Sequence, residues 1–222
     1  MERVFMKFGD FLKEIVKGKN IGRALLFASL KDLFRQELWL NGNFSVLELG
    51  HIRASHQRAY PTSWKIKTSD YRPDDDLDYV VDVNKKFPFE PDFFDGVSLF
   101  NVFYLADDYV NCLVESLRIS REFVIFNSPL ISGIAKHPID LNRFTEDKLK
   151  HLLEKLKNEQ SLNEYKIILI GGSFSSAINL IDVYLRYRII KVPFYLMAIL
   201  LDKLDKMIKR NCPMQYLVLI KK

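Results

Sequence analysis

The sequence predicts an α/β fold built on a doubly wound, mostly parallel sheet. Three observations carry that expectation. Short, nearly continuous apolar runs recur along the middle of the chain, and such runs suit strands covered on both faces. Stretches with apolar residues at helical spacing separate them. The first strong run, FSVLELG from Phe44, ends at Gly50 and passes into a loop, the kind of place where open α/β sheets hold ligands.

The elements follow in order. Phe8, Phe11, Leu12, Ile15 and Val16, then Ile21, Leu25, Leu26, Leu30 and Leu33, give apolar faces at helical spacing. They predict two helices, broken near Gly18 to Asn20. NGN at 41–43 is a turn, and residues 44–50 are a central strand. SWKIKTSD, 63–70, is a second strand of alternating character, and LDYVVDV, 77–83, a third. A loop with two prolines, FPFEPDFFD, leads to GVSLFNVFYL, a strong apolar strand from Gly96. DDYVNCLVESLRI is a helix with acidic residues at its start, where the helix dipole favours them. EFVIFNSPL is another strand, and DLNRFTEDKLKHLLEKLKN a helix with Thr145 as its cap. YKIILIGG is a strand ended by glycines. Residues 173–212 are mostly helical and amphipathic, and MQYLVLIKK closes the chain as a strand. The prolines mark turns.

Composition narrows the classes. With 48% hydrophobic and 27% charged residues over 222 positions, the chain suits one packed domain and excludes extensive disorder. Two cysteines, Cys112 and Cys212, lie far apart without paired spacing; that argues against a disulfide framework or zinc cluster and fits a reducing cytoplasm. The amino terminus mixes both charge signs and does not read as a secretory signal. The longest apolar run, Val192 to Leu201, falls short of the roughly 20 residues that span a bilayer. Formal charge is +5, with nine Lys or Arg against three Asp or Glu from Asp182 onward. This excess sits on an aromatic and aliphatic stretch, so a membrane surface fits it better than nucleic acid, and a plain solvated helix face fits best.

Carboxylates stand at the strand ends. Glu48 precedes Gly50, Asp70 ends the second strand about 20 residues on, and Asp82 lies near the end of the third. Three carboxylates suit a ligand rich in hydroxyls and amines and would repel a pyrophosphate. The absence of a glycine-rich phosphate loop agrees. Singly, each has a plainer reading: Glu48 caps a loop, Asp70 is an exposed turn residue, Asp82 pairs with Lys85 or Lys86.

These motifs resemble the class I S-adenosylmethionine-dependent methyltransferases of the broad small-molecule type, similar to methyltransferase type 11. VLELG resembles their first motif and KIKTSD their second strand with its ribose-binding acid, here Asp70. LDYVVDVNKKFPFEPDFFDGVSLFNVFYL is the most family-like segment. HPIDLNRFTEDKLKHLL resembles a segment of one branch, several members of which accompany glycan or lipid biosynthesis. The resemblance implies a Rossmann-like sheet of seven strands with the last antiparallel, N-terminal helices over 1–40, a cofactor-binding core over 41–172, a helical insertion over 173–212 and a closing strand over 213–222. It implies S-adenosylmethionine as cofactor, with Glu48, Gly50, Asp70, Asp82 and Val83 around it and Asn101 and Val102 beside the sulfonium. The chain departs from the pattern after Gly50, where HIRAS replaces a glycine-rich turn. Arg53 and Ser55 then offer polar groups to the cofactor, or else fill its pocket.

Methyl transfer needs alignment and exclusion of water, with a base only if the acceptor must lose a proton. Tyr104, Asp107, His137, Asp140 and Arg143 stand near the expected mouth, and His137 with Asp140 can form a base and its orienter. The plainer reading makes HPIDLNRF a structural corner held by Asp140 or Arg143. His51 and His56 read as loop residues, and no spacing suggests a metal site. The insertion over 173–212 reads as a helical layer on the sheet, a lid over an apolar pocket, an interfacial helix on a membrane, or a homodimer face. Two functions remain. One is a cytoplasmic methyltransferase for a small-molecule, sugar or lipid-linked acceptor, with no nucleic-acid partner. The other is a catalytically inactive methyltransferase-like binding or scaffold protein, associated with a membrane surface. A nucleotide-sugar or dinucleotide enzyme is a weaker third.

Overall fold

The computed structural model describes residues 7–50, 56–134, 139–160, 162–184, 187–207 and 212–222. Seven strands form one sheet: β1 (Ser45–Leu49), β2 (Lys65–Asp70), β3 (Tyr79–Val80), β4 (Phe94–Leu99), β5 (Ser120–Pro129), β6 (Glu164–Ile170) and β7 (Gln215–Lys221). Their order is β3-β2-β1-β4-β5-β7-β6. β1 to β5 run parallel, and β7 pairs antiparallel with both β5 and β6. The winding reverses between β1 and β4, so the carboxyl ends of those neighbours diverge into a crevice.

One face carries α1 (Phe8–Val16) and α2 (Ile21–Gln36). α2 buries residues nearly all round, because it lies between the sheet and further helices. Leu30 and Leu33 are fully buried, each stabilising the fold by about 1.5–3 kcal/mol. Asn20 caps α2, its side chain accepting from the Arg23 N–H at 2.9 Å. Asp10 and Asp32 both pair with Arg35, at 2.5 and 2.6 Å, and clamp α1 to α2. The same face takes an aromatic cluster in which the ring of Phe123 meets Phe44 and Trp64, with centroids 5.5 and 5.2 Å apart. Gly96 makes room for that ring; a Cβ there would overlap it.

The other face carries α3 (Tyr109–Ile119) and α4 (Glu146–Gln160). Thr145 caps α4 as expected, accepting from the Lys148 N–H at 3.2 Å. Between β6 and β7 come α5 (Ser173–Ile181), α6 (Arg188–Leu201) and the short α7 (Leu204–Met207). Asp202 and Asp205 occupy the amino end of α5, accepting from Phe174, Ser175 and Ser173 N–H at 2.7–3.0 Å. α5 and α6 pack together, and α5 also meets α2.

Three expectations need correction. The third strand is two residues, not the seven of 77–83, because the exposed Asp78 side chain bonds sideways to the Thr68 N–H and Lys67 on β2 and the chain leaves the sheet after Val80. The fourth strand stops at Leu99; Asn101 adopts φ +60° and Phe103–Leu105 form a 3-10 turn, so the apolar run continues into the core without staying in the sheet. Pro193 stands inside α6 and does not mark a turn.

Candidate active site

The carboxyl ends of β2, β1 and β4 stand side by side, with Leu49 opposite both Ser69 and Leu99. Gly50 follows directly. Its φ is +79°, a conformation glycine reaches without steric cost, and its N–H donates to Ser69 O at 2.9 Å. A Cβ on Gly50 would collide with the side chain of Val102. The chain after β1 therefore packs directly on the Val102 side chain, with no room for a second side chain between. Arg53 and Ser55 lie outside the described residues.

Asp70 ends β2 and is 6% exposed, not an exposed turn residue. Its carboxylate accepts from the Arg72 N–H at 3.2 Å, and the Arg72 guanidinium stands 3.9 Å off. Asp82 follows β3 and accepts from the Asn84 N–H at 3.0 Å, with Lys85 at 3.2 Å. The Asn84 N–H first, then Lys85, hold its carboxyl below the usual range. Val83 is partly buried against the core on the α3 side.

Glu48 is different. Strand alternation turns it to the same side as Val46, under α2, where it is fully buried. It contacts His56 Nε2 at 2.5 Å, accepts the Tyr60 hydroxyl at 3.0 Å and accepts from Gln57 Nε2. Tyr60 also reaches Ser98 Oγ at 3.2 Å. Burial first, and the Glu48 carboxylate second, push the Tyr60 hydroxyl well above its usual pKa. His56 packs on Phe100 with ring centroids 4.6 Å apart. The segment after the first-motif loop thus plugs back onto Glu48, tying the loop's far end to β1.

Beyond β4, Asn101 anchors a row of amides. Its N–H donates to Asn127 Oδ1 at 2.6 Å, Asn127 Nδ2 donates to Gln215 Oε1 at 2.9 Å, and Gln215 Nε2 donates to the Gly22 carbonyl at 3.0 Å. The row crosses β5 and β7 and ends on the first turn of α2. Sequence reasoning missed Asn127 and Gln215; their signal is an amide inside an apolar strand, FVIFNSP and MQYLVLI.

Tyr104, Asp140 and Arg143 come together at the rim. The Arg143 guanidinium lies 5.7 Å from the Tyr104 ring, pairs with Asp140 and donates to Ser132 Oγ at 2.5 Å. Asn142 donates from N to the Tyr104 carbonyl at 3.0 Å and from Nδ2 to the Ala106 carbonyl at 2.9 Å. This locks the segment to the 3-10 turn. Burial, then the Asp140 charge, raise the Tyr104 hydroxyl above its usual pKa. His137 lies outside the described residues. Among the described residues no group of three or more His, Cys, Asp or Glu is placed to hold a metal ion.

A structure of an S-adenosylmethionine-dependent methyltransferase from Archaeoglobus fulgidus superposes with a TM-score of 0.55 at 15% identity, covering 97% of this chain and all of that one. The chain has the class I methyltransferase fold. A second methyltransferase-fold relative is the 1,6-didemethyltoxoflavin-N1-methyltransferase of Burkholderia thailandensis, solved with its acceptor and S-adenosylhomocysteine. It matches with a TM-score of 0.52 at 14% identity over 96% of this chain and 86% of that one. A third is the [4+2]-cyclase SpnF, with a TM-score of 0.54 at 13% identity over 96% and 91%. No protein-family model matches the chain, and no curated protein does. In open α/β sheets ligands bind at the carboxyl ends of the strands where the winding reverses, which is the end that Gly50, Asp70 and Asn101 occupy here.

Proposed function

We propose that this chain is an S-adenosylmethionine-dependent methyltransferase for a small-molecule, sugar or lipid-linked acceptor. The observation that carries the reading is the packing of Gly50, at positive φ, directly on the Val102 side chain at the switch point, beside the buried carboxylate of Asp70. Asp70 keeps lone pairs beyond the Arg72 N–H and is suited to ribose hydroxyls. Asp82 and Val83 border the adenine side, and Asn101 and Val102 the methionine side. The sequence after Gly50 supplies Arg53 and Ser55 as polar partners for the cofactor. Glu48 acts through His56, Gln57 and Tyr60, fixing the segment 56–60 against β1. Bound S-adenosylmethionine supplies a methyl carbon already activated by the sulfonium.

What remains for the protein is alignment. Tyr104 carries its proton at neutral pH as any tyrosine does, burial holds it more firmly still, and the hydroxyl serves as a hydrogen-bond donor to the acceptor. Asp140 holds Arg143 in place, and His137 in the same segment is the candidate base. The likeness to a cyclase shows that this fold also carries other chemistry, so the fold alone does not carry the assignment.

The outer face of α5 and α6, with the turn between them, exposes Leu180, Tyr184, Tyr187, Phe194, Met197 and Leu200. That favours a lipid-linked acceptor met at a membrane surface. No helix among the described residues is long and apolar enough to cross a membrane.

Calorimetric titration with S-adenosylmethionine and S-adenosylhomocysteine tests the reading. Binding in the micromolar range, lost on Asp70→Ala or Asp82→Ala, is expected. A folded protein that binds neither at millimolar concentration would overturn it and favour a binding or scaffold role.

A further inference from the structure

A second cleft, of about 400 Å³, lies where the α1–α2 connection faces α6. Four cations line it, Lys17, Lys19, Arg23 and Lys191, against one carboxylate, Asp182. Two of the four are already paired. Lys17 Nζ donates to Glu14 Oε1 at 2.9 Å, and Lys191 Nζ lies 3.1 Å from Asp182. Asp182 also accepts the hydroxyl of the buried Tyr195. Lys19 and Arg23 have no carboxylate partner among the described residues; Lys19 is partly buried and Arg23 is exposed.

The turn that presents them is built for the purpose of a tight reversal. Gly18 takes φ +84°, and the Lys19 N–H donates to the Glu14 carbonyl at 3.1 Å. Asn20 then caps α2, whose positive end faces the same cleft and adds to its potential. Two neighbouring cations without a carboxylate, set in a concave surface at a helix start, give the cleft a positive potential that attracts an anion. The volume falls within the ~300–1,000 Å³ of small-molecule sites. The arginine fork suits a phosphoryl group through two parallel hydrogen bonds.

The cleft is also joined to the candidate active site. Gly22, between Lys19 and Arg23, ends the row of amides that starts at Asn101. The charge of Arg23 acts on the Tyr104 hydroxyl. Arg23 thus stands on the first turn of α2, the turn on which that row ends.

We infer that this cleft holds a phosphoryl group carried by the acceptor, with Lys19 and Arg23 as its ligands. The inference rests on the methyl-transfer reading above. The phosphoryl group belongs either to a soluble phosphate ester or to a lipid-linked phosphate at the membrane surface that α6 faces.

The test compares the full chain with the double variant Lys19→Gln/Arg23→Gln and with a control, Lys155→Gln/Lys157→Gln on the exposed face of α4, that removes the same charge elsewhere. Each is titrated with inorganic pyrophosphate and sedimented with phosphatidylcholine vesicles with and without phosphatidic acid. The expected result is phosphate binding, by one probe or both, that weakens about tenfold or more in the Lys19/Arg23 variant and not in the control. Pyrophosphate binding alone points to a soluble ester; vesicle binding that needs phosphatidic acid points to the lipid source. Binding by neither probe, or an equal loss in the control, overturns the inference. S-adenosylhomocysteine titration of the same samples keeps the two readings apart. Cofactor binding without phosphate binding sinks the cleft alone; phosphate binding without cofactor binding sinks methyl transfer and, with it, the acceptor as the carrier, and leaves only a phosphoryl site. Unchanged thermal midpoints exclude misfolding as the cause.

Discussion

Gly50 and Val102 share one space: the main chain leaving β1 lies where a Cβ would strike the Val102 side chain. The two residues follow neighbouring strands and face each other across the point where the winding reverses. Gly50→Ala is expected to cost about 1–3 kcal/mol from the positive φ, with a further cost from the collision. Val102→Ala in the same chain should restore the second part only. A double-mutant cycle by denaturant unfolding measures the split, and a coupling of zero would mean that the two do not press on each other.

Asn127 cannot become an aspartate without disturbing its row. An aspartate at 127 would still accept from the Asn101 N–H, but it would set an oxygen against Gln215 Oε1. Flipping the Gln215 amide would then set its oxygen against the Gly22 carbonyl. Asn127→Asp should therefore destabilise by about 1–3 kcal/mol, the cost of a buried polar group left without a partner. Chemical denaturation checks this; a change under half a kcal/mol, roughly the spread of neutral surface substitutions, would count against the row.

Glu115 and Arg118 grip the loop between Asp82 and β4. Glu115 accepts from the Phe87 N–H at 2.9 Å, and Arg118 donates to the Phe89 carbonyl at 2.8 Å. Arg118 holds the Glu115 carboxyl below its usual pKa. A depressed folded-state pKa means stability present above the unfolded value and lost as pH falls through the folded one. The stability gap between the natural chain and Glu115→Gln should be full at neutral pH. It should shrink once pH drops below about 4.3, the ordinary glutamate value, and vanish in stronger acid. A gap that stays constant with pH would refute the charge-based account.

Gly96 marks where aromatic packing reaches the sheet. The Phe123 ring lies directly over it, so Gly96→Ala forces a rigid ring to move within the Phe44–Trp64 cluster. An overpacking cost of about 1–3 kcal/mol is expected, read as a lower thermal midpoint. Phe123→Leu in the same chain should recover part of it.

Much of the sheet was legible because its signals are local. The apolar runs at 44–50 and 165–172 and the helical break at Gly18 need nothing beyond their own residues. The third strand was overread because Asp78 spends its side chain on Thr68 and Lys67, a contact between segments. Phe103 read as strand because it is apolar, and burial is indifferent to whether the backbone is extended or turned. For the site, Asp70 and Gly50 stood out by position. Glu48 stood out too, but its partners His56, Gln57 and Tyr60 did not, since nothing in a sequence tells which acid a later loop will fold back onto.

β7 lies between β5 and β6, yet 44 residues separate the end of β6 at Ile170 from Gln215. During synthesis β6 therefore waits without a hydrogen-bonding neighbour until α5, α6 and α7 have been made. Such delayed, distant pairing slows folding and leaves an open strand exposed meanwhile. Gln215 is the first residue of that late strand, and it joins Asn127 to Gly22. The nascent chain can wind its first five strands early, but the rim of the crevice and the turn that presents Lys19 and Arg23 are coupled only when β7 slots in. Ligand binding would then report that the last strand has arrived.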